Sequence, residues 1–100
     1  MRMPLPNRRA CELMNFTHDG IAHTGSVSYM PDGRPCEVFI DAGKVGSAVQ
    51  HMARDSAVAA SLALQHGASL ETLRTAMTRT DRGDAAGALG AFLDRVEWRP

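Results

Sequence analysis

Apolar residues alternate with polar ones through the first half of the chain and recur at helical spacing in the second. The alternation predicts a three-stranded antiparallel meander over residues 11–41. Asp19-Gly20 and Asp32-Gly33 are its two hairpin signals, because a type I′ turn needs positive φ at both central positions. Centring a turn on each pair sets the register. Residue 18 faces 21 and 16 faces 23, while 29 faces 36, 27 faces 38 and 25 faces 40. One face then collects Met14, Phe16, Ile21, Val27, Tyr29, Cys36, Val38 and Ile40. The other collects Asn15, Thr17, Thr24, Ser26, Ser28, Glu37 and Asp41, with Leu13 and Phe39 as apolar exceptions. A slip of one residue would carry Val38 and Ile40 in among the serines, so the pattern itself selects this register. Gly25 falls between Met14 and Ile40, where a missing side chain leaves room for a neighbour.

A helix is predicted from Ser47, which forms a capping box with Gln50, to Gly67, which supplies the left-handed closing residue. Its second half, Ser56 to Leu64, carries no charge on any side, the pattern of a helix buried on more than one side. Alanine and serine there let other elements approach closely. Ser69 caps a second helix with Leu70, Leu73 and Met77 on one stripe, and Thr80-Asp81-Arg82-Gly83 breaks it. Asp84 is expected to open a third helix, with Leu89, Phe92, Leu93 and Val96 at i, i+3, i+4 and i+7. Gly87 and Gly90 cost that helix about 1 kcal/mol each against alanine, so it depends on docking. The expected fold is α+β: a three-stranded antiparallel β-meander, then a long buried helix and two shorter helices. Residues 1–9, with Pro4 and Pro6, read as an extended N-terminal arm, and 10–97 as a single domain. Such a sheet has two open edges, and with Leu13 and Phe39 on its outer face a homodimer is expected to cover them.

Composition narrows the function. Eleven basic residues, all arginine except Lys44, cancel eleven acidic ones. No net field gathers nucleic acid or an anionic membrane. No apolar stretch reaches membrane-spanning length and the first residues lack a secretory core, so the expected location is cytoplasmic. Cys11 and Cys36, 25 positions apart, suggest neither a disulfide framework nor a zinc site. The register puts them on opposite sheet faces.

Candidate chemistry is sparse. His18 and His23 share a face as a diagonal pair, with no third ligand beside them and no metal site expected. His51 and Asp55 lie one turn apart on the polar side of the long helix, and His66 sits at its negative end. The loop Asp41 to Ser47 holds Lys44, Gly46 and Ser47 ahead of a helix start, with Arg54 nearby, a setting that can hold an anion. It lacks Walker spacing. Together, Lys44, Gly46, Ser47, His51, Arg54 and Asp55 form the candidate ligand set, and Arg8, Arg9, Leu13 and Phe39 the candidate partner contacts. Nucleophile, base and orienting group do not converge, and no catalytic residue is assigned.

Several separated motifs nevertheless share one resemblance: Leu5-Pro6-Asn7-Arg8-Arg9, Asp32-Gly33-Arg34, Glu37-Val38-Phe39-Ile40-Asp41, Lys44-Val45-Gly46-Ser47, and Ser61-Leu62-Ala63-Leu64-Gln65-His66-Gly67 with Leu70-Glu71. In this order, over residues 5 to 94, the chain resembles the TSCPD domain. That domain is found near the C-terminus of vitamin-B12-dependent (class II) ribonucleotide reductases and as short stand-alone proteins. The resemblance implies kinship with enzymes that reduce ribonucleotides using adenosylcobalamin, but their radical and redox cysteines and cobalamin site belong to other parts. No cofactor is therefore expected in this chain. The sequence carries Arg34-Pro35-Cys36-Glu37 in place of the family's Thr-Ser-Cys-Pro-Asp. A non-catalytic accessory of deoxyribonucleotide supply that binds a reductase or another protein is the implied function. The alternatives are an anion, nucleotide or nucleic-acid binder using the Lys44 loop and arginines, or a self-associating structural protein.

Overall fold

The computed structural model describes residues 2–97. Met1 of the arm and residues 98–100 lie outside that range. Three strands, β1 (Ala10–His18), β2 (Ile21–Tyr29) and β3 (Pro35–Ala42), pair in the order β1-β2-β3. Three helices follow: α1 (Ala48–Gln65), α2 (Leu70–Ala76) and α3 (Ala88–Leu93). The fold is α+β, a three-stranded antiparallel sheet followed by helices.

The first hairpin is built as its residues dictate. Asp19 and Gly20 both adopt positive φ, at 51° and 75°, and His18 pairs with Ile21. In the second hairpin only Gly33 does, at 88°. Pro31 holds its own φ near −65° and so favours a type I turn one residue earlier. The Gly33 amide accordingly donates to Met30 O, and Asp32 Oδ1 accepts from the Arg34 amide. The added residue emerges as an irregularity at Ser28/Tyr29, which sets Tyr29 opposite Pro35 rather than Cys36. Beyond that point the register matches the alternation, with Val27 facing Val38 and Gly25 facing Ile40.

Ser47 caps α1 by accepting from the Gln50 amide at 3.2 Å, and Gln50 Oε1 reaches one residue further back, to the Gly46 amide. At the other end Gly67, with φ 106°, closes a Schellman motif: its amide bonds Leu64 O, and that of Ala68 bonds Ala63 O. The helix is not buried on several sides, however. Only the stripe Gln50, Ala53, Ala57, Ala60, Ser61, Leu64 and Gln65 is covered, while Met52, Val58 and Leu62 remain exposed. The small residues serve a close approach to one element, β3.

That approach seals one sheet edge. Ser61 Oγ accepts from the Val38 amide at 2.9 Å and donates to the Val38 carbonyl at 2.8 Å. Gln65 Nε2 donates to Cys36 O at 3.1 Å. Groups that an edge strand would turn to solvent are thus bonded by helix side chains. The expectation of two open edges holds only for β1. Arm residues close over the same helix end: the Met3 amide donates to Gln65 O at 2.7 Å, and Arg9 bonds Glu37 at 3.0 Å.

Beneath the apolar face lies Phe92 of α3, fully buried and directly under Gly25. Its ring stacks on Phe16 at 5.7 Å, and Phe16 stacks on His23 at 5.1 Å. Asp84 does not open α3. It belongs to a short hairpin in which Arg79 bridges Ala85 and the Thr80 amide donates to Asp84 O, so the helix starts only after Gly87. Gly90 earns its place by packing, since a Cβ there would meet Met77 and Ala85 at 3.2 Å. The Arg74 guanidinium bonds the carbonyls of Leu93 and Val96 and so satisfies groups at the end of this short helix.

Two surface carboxylates tie elements together. Asp94 accepts a bidentate pair from Arg79, which holds its carboxyl below the usual range. Asp41 is lowered in the same way, first by its bond from Arg54 and then by that from Gln50. A carboxyl depressed on folding adds stability above the ordinary value near 4, and the contribution disappears as pH falls through the lower folded value. Thermal melts between about pH 4 and pH 2 should therefore lose less stability in Asp41→Asn and Asp94→Asn than in the wild type.

Candidate functional site

The predicted ligand set splits on inspection. Lys44, His51 and Asp55 are exposed at the start of α1. Two of the loop's amides are already used: that of Gly46 by Gln50 Oε1, and that of Ser47 by Lys44 O at 3.0 Å. Ser47 Oγ is engaged as the helix cap. Arg54 donates to both Asp41 oxygens, at 3.2 and 3.3 Å, and its guanidinium lies 5.6 Å from the Phe39 ring centroid. The structure therefore joins Arg54 to Phe39, a residue of the other candidate set.

Around Phe39 an apolar surface takes shape. The register places Leu13, Ser26 and Phe39 in one row across the outer sheet face. Leu13 is 73% exposed and Phe39 46%, and Ser26 between them adds no bulk. Past Phe39 the surface continues onto the uncovered side of α1, where Val58 and Leu62 are 57% and 41% exposed. Phe39, Val58 and Leu62 wall a shallow groove of about 390 Å³, with Arg2 and Glu37 at its border. Two ion pairs flank it, Arg54–Asp41 and Arg9–Glu37. Arg8 is exposed beside the latter. An apolar centre with a rim of fixed charge suits contact with another macromolecule. The sequence marked Phe39 and Leu13 but not Val58 and Leu62, since their exposure depends on which side of α1 meets β3.

A second hollow, of about 330 Å³, opens between the β1–β2 turn, the first half of α1 and the start of α3. His18, His23, Val49, Met52, Ser56 and Leu89 line it. His23 Nδ1 lies 2.8 Å from Ile21 O and His18 Nε2 lies 3.1 Å from Ala86 O. A carbonyl only accepts, so each of these nitrogens donates. The rings meet edge to face at 6.1 Å. Among the described residues no group of three or more His, Cys, Asp or Glu comes together to hold a metal. The signal for this hollow in the sequence is the stripe Val49, Met52, Ser56 on α1.

The thiols differ sharply. Cys36 is buried, and burial pushes its thiol above the ordinary value, whereas Cys11 is exposed. A disulfide reagent should titrate Cys11 rapidly in the native protein and reach Cys36 only on unfolding. Equal rates for both thiols would contradict the packing around Cys36.

No helix of the described residues is long and apolar enough to cross a membrane. A family model described as the TSCPD domain matches residues 2–94. The vitamin B12-dependent ribonucleotide reductase of Agrobacterium fabrum (strain C58) is 40% identical over 82 residues, 79% of this chain and 6% of that protein. No solved structure matches the chain.

Proposed function

The chain belongs to the TSCPD domain family, and from this we propose that it acts by contact, as a non-catalytic accessory that binds a vitamin B12-dependent ribonucleotide reductase and so bears on deoxyribonucleotide supply. The observation that carries the reading is the exposed surface running from Phe39 to Val58 and Leu62, bordered by two ion pairs. Burying it on a partner would remove apolar area from water at about 25 cal/mol per Å². Arg54, held by Asp41 beside the Phe39 ring, is ordered in advance and loses little freedom on docking. The chain matches 6% of that reductase's length, and in this reading the reaction stays with the partner.

Calorimetric titration of the chain into purified reductase tests this. Binding is expected, and Phe39→Asp, which places a carboxylate in the centre of the apolar surface, should weaken it by at least about tenfold without altering the fold. Lack of heat at tens of micromolar, or full affinity in the variant, would overturn the reading.

A further inference from the structure

The bonding of Val38 has a consequence on the far side of the sheet. Because Ser61 takes both the amide and the carbonyl of Val38, that residue spends neither on β2. Val27 opposite it must then turn its own pair toward β1, which makes Glu12–Val27 a bonded pair of the β1–β2 ladder. The tight turn agrees, since His18–Ile21 is the bonded pair closing a two-residue loop. By alternation, Cys11, Leu13, Asn15 and Thr17 direct their amides and carbonyls away from the sheet. Among the described residues no backbone bond from another element reaches these four.

We infer that β1 pairs with β1 of a second copy, antiparallel about a two-fold axis at Met14, and joins two sheets into one of six strands. This register engages all four outward residues of each copy: Leu13 faces the partner's Asn15, and Cys11 faces the partner's Thr17. It also brings the exposed Arg8 level with the partner's Asp19, whose side chain is 80% exposed, while Arg9 stays on Glu37 of its own chain. The charge match occurs twice by symmetry. Centring on Leu13 instead engages fewer outward residues within β1 and parts Arg8 from Asp19. β1 has no proline, lysine or bulge of the kind that blunts other edge strands, and its one charge, Glu12, lies on the inner face beside Tyr29. Zero net charge leaves no repulsion between copies. Since α1 seals the β3 edge, the pairing stops at two chains and cannot extend into a fibre.

The experiment combines molar mass with amide hydrogen exchange on the full chain. Light scattering at tens of micromolar should give twice the chain mass. In that dimer the amides of Cys11, Leu13, Asn15 and Thr17 should exchange at least about tenfold more slowly than in dilute, monomeric protein. Those of Glu12, Met14 and Phe16 are protected by β2 in both. Leu13→Pro removes only an outward amide, so it should yield a folded monomer. A wild-type monomer at about 100 µM, still above that range, overturns the inference. So does a dimer whose four outward amides exchange freely. Reductase binding is scored separately, by Phe39→Asp in the calorimetric titration, so either reading can fail while the other stands.

Discussion

Gly25→Ala is expected to destabilise the protein by about 1–3 kcal/mol, although it adds only one methyl group. A Cβ at that position would lie 2.3 Å from Cε1 and 2.5 Å from Cδ1 of Phe92. The ring has little room to retreat, being fully buried and stacked on Phe16. Its own removal, Phe92→Ala, should cost about 3–5 kcal/mol, a large share of the 5–15 kcal/mol that holds a typical domain together. The double variant separates cause from coincidence. With the ring gone, alanine at 25 has space, so denaturant titrations should show the two losses falling short of additivity by about 1 kcal/mol or more. Strict additivity would mean that Gly25 is needed for some reason other than Phe92.

Ser61→Ala carries the second large effect. It removes one oxygen and leaves the Val38 amide and carbonyl buried with no partner from α1, at about 1–3 kcal/mol. Threonine should restore most of the loss, because it keeps the hydroxyl. A Ser61→Ala variant as stable as the wild type would show that water satisfies the strand edge and that the helix merely lies beside it.

How much of this was legible in the residues depended on how far apart the partners stand. Asp19-Gly20 specifies its turn unaided, and Ser47 with Gln50 and Gly67 marks both ends of α1 within a few positions. Gly25 announced a close neighbour, though not that Phe92, 67 positions later, would fill the space. Asp32-Gly33 misled because Pro31 competes for the turn and wins by its fixed φ. The start of α3 misled because Asp84 is claimed by a hairpin with Thr80. The smallness of Ala57, Ala60 and Ser61 is equally the pattern of a helix buried on more than one side. In the fold it serves one close approach, and hydropathy alone does not tell the two apart. The contact surface was half legible: Phe39 broke the polar pattern of its face, but its junction with Arg54, Val58 and Leu62 is a tertiary fact.

Bonding of α1 into the sheet as the cover of its β3 edge leaves β1 open and the Phe39 surface free for contact. Amide hydrogen exchange at Val38 measures this most directly. The Val38 amide should exchange among the slowest in the protein, and Ser61→Ala should accelerate it far more than the core amides around it. Exchange at Val38 as fast as at an unpaired strand edge, and unmoved by that substitution, would contradict it.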